Sequence, residues 1–344
     1  MTTKLSHRLN GLEPDNLLAF LALLGLLSSL EADDRKRAEH EKIHPRSKWD
    51  IDCLPVRPVL VLAQELSIEE VLVRATNGIE ALATAHEFGP RMDLNYTREE
   101  CRELLTNAAR SATREGRHRV DVLAALTSDS AIKDGKEKVV DPTPLCLLFG
   151  QGHQHFLERL ADVPRTVAPP PRGRGKRAIP LSAIDCLREA LLEPWHRVDP
   201  TPSFRWDPEE DIRYALMAGD PTDSAYKSGT QHGANRLAAI GLGVLTLVPE
   251  TRAGRVRPTI IGGASSARGF SFAWPIWREP ATLAAIRALL GHPKLREPGA
   301  LAHLGVVDVV VAQRISVGKF MNFTRARQSV GKLEESVNGQ PHLD

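Results

Sequence analysis

The chain has 344 residues, with 45 lysines plus arginines against 43 aspartates plus glutamates. It is long enough to bury a large core, but carries no overall field to draw it onto a polyanion or a membrane. Any contact with nucleic acid must therefore come from local patches. The cysteines, Cys53, Cys101, Cys146 and Cys186, are widely spaced. That excludes a C-x-x-C pair and a disulfide framework, and suits small buried side chains in a reducing cytoplasm.

Leu12-Glu13-Pro14-Asp15-Asn16 reads as a turn delivering a helix, with Asp15 or Asn16 as its cap. Leu17, Phe20, Leu21, Leu24 and Leu27 fall at helical spacing, and Leu18, Leu23 and Leu26 extend the apolar surface nearly all round. The apolar run of about 14 residues is shorter than the roughly 20 that span a bilayer. It ends in Glu31, Asp33 and Asp34 instead of a small-residue cleavage site, so a helix inside the domain is expected. Asp33 to Lys48, dense in both charges, reads as a solvated excursion. Val56 to Ala63 is a strand.

Ser67 and Glu70 form a capping box opening a helix to about His86. Met92 to Tyr96 suits a short strand, and Thr97 with Glu100 opens a helix to about Glu115. Val120 to Thr127 is apolar and ambiguous. Asp129 to Asp141 is polar loop, and Pro144 to Phe149 leads into a helix through Leu160. Arg165 to Pro180 is the clearest break, because Pro169-Pro170-Pro171 interrupts regular structure and Arg172-Gly173-Arg174-Gly175-Lys176-Arg177 is basic and pliant.

Beyond the break, Pro180 to Leu192 is helical. Trp206 to Met217 follows, with Asp207 as cap and Pro208 at the first helical position. Gly219 to Gln231 is loop and Gly233 to Ile240 a short helix. Val244 to Val248 and Val256 to Ile261 form a hairpin with a basic tip, and Phe270 to Trp277 is a third strand. Thr282 to Leu290 is a helix, Val306 to Phe323 is one long strand or two short ones, and a polar tail starts at Gln328. The fold class is α+β, with a helix-rich N-terminal half and antiparallel strands with helices in the C-terminal half. Residues 1–164 are expected to form one domain, 165–180 a basic linker or arm, 181–330 a second domain and 331–344 a tail.

No set of residues makes a catalytic constellation, and no cofactor is expected. Gly262-Gly263-Ala264-Ser265-Ser266 lacks the lysine of a phosphate-cradling loop and reads as a turn. His153 and His155 share a side only if extended, and the helical period that follows argues against a metal pair. Asp207, Glu209, Glu210 and Asp211 raise the alternative of a metal-dependent nuclease using Asp207, Glu210 or Asp211. Acids are also what a first helical turn prefers. Trp206, Trp274 and Trp277 suit either a core or base stacking. The arginines make the better case for phosphate contacts: Arg172, Arg174, Lys176 and Arg177 in the arm, Arg252, Arg255 and Arg257 at the hairpin, and Arg268 in a Gly-Ser loop. Arg314, Lys319, Arg325 and Arg327 continue the set along the last strand region.

Three stretches resemble a known family: Gly11-Leu12-Glu13-Pro14-Asp15-Asn16-Leu17 through Leu27, Gly150-Gln151-Gly152-His153-Gln154-His155-Phe156-Leu157, and Arg205-Trp206-Asp207-Pro208-Glu209-Glu210-Asp211 with Gly233-Ala234-Asn235-Arg236-Leu237-Ala238. Together they resemble CRISPR-associated proteins of type I systems, especially the large-subunit-like proteins of the I-G (formerly I-U) group. The resemblance implies a non-catalytic subunit of a Cascade-type, RNA-guided surveillance complex in antiviral defence. Its partners would be guide RNA, target DNA and other effector subunits, with a helicase-nuclease recruited in trans and no membrane. A scaffold that touches only protein is the other alternative.

Overall fold

The computed structural model describes residues 3–113, 116–133, 138–148, 155–172, 178–210, 229–252, 254–317 and 320–329. Its centre is the first helix, α1 (Leu17–Asp34), which starts where the Asn16 side chain accepts the Ala19 amide. Leu, Ala and Phe occupy every side of this helix, so no face can be left to water. Glu31 is its one residue that is not buried. No helix among the described residues is long and apolar enough to cross a membrane.

Two helices lie against α1. One is α2 (Ile68–Ala83), opened by the Ser67–Glu70 capping box, and the other is α7 (His232–Gly241). Around them stand α3 (Arg98–Arg110), α4 (Arg117–Leu126), α5 (Phe156–Arg165), α6 (Ala183–Leu192) and α8 (Leu283–Leu290), the last capped by Thr282. An N-terminal antiparallel sheet contains β1 (Lys4–Arg8), β2 (Arg46–Asp50) and β3 (Arg57–Leu66) in the order β1-β3-β2. A hairpin of β4 (Leu247–Arg252) and β5 (Arg255–Ile260) follows. The last sheet has the order β10-β8-β7-β6, built from β6 (Gly263–Ser266), β7 (Gly269–Trp277), β8 (Val306–Val317) and β10 (Arg327–Gln328). In it β9 (Phe320–Phe323) also pairs with β8.

The α+β class stands, with the strands antiparallel and mostly C-terminal. The two expected domains share one hydrophobic core, a continuous cluster from Leu9 to Ala326 in which α7 of the second half lies on α1 of the first. The sheets are joined as well. Ser47 of β2 exchanges backbone hydrogen bonds of 2.9 and 2.8 Å with Ala281, and its carbonyl accepts Trp277 Nε1 at 2.6 Å.

Several local expectations change. Met92 to Tyr96 is bend and loop, while β1, β2 and β6 are strands that had not been foreseen, β2 running into the stretch read as a solvated excursion. The charged stretch after Leu30 does not begin in solvent, because Asp33 and Asp34 are buried. Asp34 accepts the backbone amides of Ile43 and His44 at 3.0 and 2.9 Å, and Asp33 holds Arg37. Cys101, Cys146 and Cys186 are buried as expected, but Cys53 is exposed. Of the helix expected from Trp206, residues 206–210 form a turn and the remainder lies outside the described residues.

Candidate nucleic-acid interface

A carboxylate that pairs with an arginine at a strand end or turn competes with phosphate for it. Arg172 is claimed: its guanidinium holds Glu189 at 2.8 Å and Asp199 at 2.7 Å, and the hydrogen bonds to Glu189 push its pKa above the usual arginine range. It anchors the base of the expected arm, whose Arg174, Lys176 and Arg177 lie outside the described residues. Arg325 is claimed too. It pairs with Glu13 at 2.8 Å, Asp15 at 3.0 Å and Glu209 at 2.7 Å, locking the end of the last sheet to the turn that starts α1. Arg325 precedes β10 and is tied to these carboxylates, whereas Arg327 on that strand is exposed.

Two further arginines reach one short segment from separate strands. Arg257 on β5 pairs with Asp141 at 3.4 Å, and three residues further on the Pro144 carbonyl accepts Arg314 Nη1 of β8 at 3.0 Å. Arg314 also lies over the Phe270 ring, 5.5 Å from its centroid, at the start of β7. Burial lowers the pKa of Arg314, so part of its role is to brace this corner. The β6–β7 turn is held to β8 by Gln313, whose side-chain amide donates to the carbonyls of Arg268 at 3.1 Å and Phe270 at 2.8 Å. Arg268 is exposed at that turn and Arg255 at the hairpin end, opposite Arg252 in register. The 141–144 segment thus receives Arg257 from β5 and Arg314 from β8, while Arg255 lies two residues before Arg257 on its strand and the Arg268 carbonyl is held by Gln313, next to Arg314. Lys319, expected in this group, lies outside the described residues.

The other sequence candidates have structural roles. Trp206, Trp274 and Trp277 are buried, with indole N–H groups donating to the carbonyls of Leu145, Pro14 and Ser47, so none offers a face to a base. Gly263 to Ser266 is a strand edge and not a turn. Asp207 is buried and its oxygens accept from Arg197 at 2.7 and 3.1 Å and from Asn16 at 3.0 Å, which ties it to the cap of α1. Glu210 accepts from the Ser203 hydroxyl, and burial pushes its carboxyl up to about 7. Asp207 is thus engaged by three hydrogen bonds within the fold, and Glu210 holds its proton to a higher pH than an ordinary carboxyl. Asp211 lies outside the described residues, among which no group of three possible metal ligands converges. His155 pairs with Asp93 at 2.8 Å, and His153 is outside the described residues.

Sequence reasoning missed Asp141 and Pro144 as the backing of the arginine edge. It also missed a buried contact between His86 and His118, side chains 32 residues apart. No spacing rule links positions that only the tertiary fold brings together. Compared with protein-family models, with curated proteins and with solved structures, the chain matches none.

Proposed function

We propose that this chain is a non-catalytic subunit of a CRISPR RNA-guided DNA surveillance complex that holds guide RNA or target DNA along the Arg255, Arg257, Arg268 and Arg314 edge. The observation that supports this reading is that Arg257 of β5 and Arg314 of β8 both reach residues 141–144, with Arg255 and Arg268 exposed at the ends of the β4–β5 and β6–β7 hairpins, in a chain whose total charge is nearly balanced. A localised cationic edge binds a phosphate backbone by releasing its counterions, and does so without base specificity. Sequence reading by the guide and cutting by a separate helicase-nuclease complete the function, so this subunit requires neither base readout nor a catalytic centre.

The test is fluorescence anisotropy with single-stranded RNA, single-stranded DNA and duplex DNA over a range of salt concentrations. Changing Arg255, Arg257 and Arg268 together to alanine is expected to weaken binding about tenfold or more and to flatten the logarithmic salt slope by roughly two units. The cost to stability should be small, because the Arg257–Asp141 pair is partly solvated. A folded triple variant with the affinity and salt slope of the wild type would remove this edge from the function. Arg314 is left in place because its contact with Pro144 supports the fold.

A further inference from the structure

At the root of the β4–β5 hairpin, away from its tip, a cavity of about 200 Å³ opens between α1, α4 and α8. His118, in the first turn of α4, lines it. The hydrogen-bond chain behind His118 decides what this side chain presents. His86 is fully buried, and its Nδ1 lies 3.0 Å from the Leu160 carbonyl, which can only accept. His86 Nδ1 therefore carries hydrogen. Burial pushes the His86 pKa down to about 4, so the ring is neutral and its Nε2 is a bare acceptor. That atom is 3.3 Å from His118 Nε2, which must then be the donor. Burial likewise pushes His118 down to about 3, leaving its Nδ1 as a lone-pair acceptor. The loop behind the relay is clamped by Arg119, whose guanidinium donates to the carbonyls of Ala85 and Glu87 at 3.1 and 2.8 Å.

The acceptor edge of His118 faces Gly243, which also lines the cavity. A Cβ added at Gly243 would stand 2.9 Å from His118 Cε1 and 3.2 Å from Nδ1, so any side chain at this position would crowd that edge. The walls alternate in chemistry. Leu82, Val244 and Leu283 are apolar, whereas Arg35 with Glu31, and Arg117 and Arg287 with Asp121, place donors beside acceptors. The volume suits a single ring system and not a stretch of polymer.

We propose that this cavity binds a small planar heterocycle carrying an N–H donor beside a ring or carbonyl acceptor, the edge chemistry of a nucleobase. The N–H meets His118 Nδ1, the ring faces meet the apolar walls, and the neighbouring acceptor meets a wall guanidinium. His86 acts as a positioning residue that fixes the His118 tautomer. The site stands apart from the arginine edge and does not depend on its binding a polymer.

The test uses the full chain labelled with ¹⁵N-histidine at pH 7, the His118 signals being identified by their loss in His118→Gln. Two-bond ¹H–¹⁵N spectra should show His86 as the Nδ1–H tautomer and His118 as the Nε2–H tautomer. Cytosine or adenine at millimolar concentration should shift His118 Nδ1 saturably while benzene leaves it in place, and Gly243→Ala should abolish the shift. The proposal is overturned if His118 carries its hydrogen on Nδ1, if neither base moves the signal, or if benzene moves it equally. Stoichiometric Zn²⁺ displacing both Nε2 resonances would also overturn it, by making the pair a metal site. Should Gly243→Ala fail to fold, the wild-type titration decides alone.

Discussion

Replacing Gly25 with alanine is expected to lower the unfolding free energy by roughly 3 kcal/mol. In an isolated helix the same change would help by about 1 kcal/mol, because glycine has more conformational freedom to lose on folding. Here the environment reverses the sign. A Cβ on Gly25 would fall 1.8 Å from the Leu237 carbonyl oxygen and 2.5 Å from its carbon. Those are backbone atoms in the middle of α7, which no rotamer change can withdraw. The contact is reciprocal, since a Cβ on Gly241 would fall 2.1 Å from the Leu21 carbonyl oxygen of α1. The two helices therefore touch backbone to backbone, and a methyl group at either position must push them apart, opening gaps between the leucines around them. Urea unfolding should show a lower midpoint at unchanged slope. Gly25→Ala combined with Gly241→Ala should cost less than the sum of the single changes, because the first separation makes room for the second methyl. A Gly25→Ala protein more stable than the wild type would refute this helix contact.

The helix that carries this contact was legible because two independent signals agreed, apolar periodicity and a capping asparagine. Capping boxes likewise made the starts of α2 and α3 readable from Ser67 and Thr97. Two of the strands that escaped notice, β1 and β6, lack any such signal. Lys4-Leu5-Ser6-His7-Arg8 and Gly263-Ala264-Ser265-Ser266 have little β-branched or aromatic content, and each is an edge strand held by its partner's ladder. Asp33 and Asp34 look like the start of a solvated run because their composition says so. Their burial depends on amides and guanidiniums that only the fold delivers.

The candidate site was legible as a list of arginines but not as an arrangement. Whether a guanidinium is claimed depends on partners far away in sequence, as with Arg325 and Glu13, 312 positions apart, or Arg257 and Asp141, 116 apart. The sequence places Arg172 in a basic arm, and Asp199 and Glu189 take it out. Tryptophan is ambiguous for the same reason. Trp206 stacks on Phe204 at 4.4 Å and Trp274 on Phe20 at 5.3 Å, so these aromatic faces meet other rings inside the core and not bases.

Stability should change with pH through two terms of opposite sign, and Glu210→Gln is expected to separate them. Burial raises the Glu210 carboxyl from an ordinary 4.5 to about 7, so the folded state binds this proton more tightly than the unfolded chain does. That contribution is complete below about 4.5 and is lost as pH rises to about 7. His86 and His118 run the other way. Burial lowers them from 6.5 to about 4 and about 3, so their contribution is complete above 6.5 and is lost as the pH falls through 4. Between pH 4.5 and 6.5 the protonation of Glu210 offsets part of the penalty of the histidines. Glutamine, which never ionises, should make the protein more stable than wild type by about 2 kcal/mol at pH 8, an advantage that closes as the pH approaches 4.5. Acidification from pH 7 to pH 5 should therefore destabilise the variant more than the wild type, as read from urea midpoints at each pH. A difference between the two proteins that stays constant across that range would mean that Glu210 ionises as it does in water.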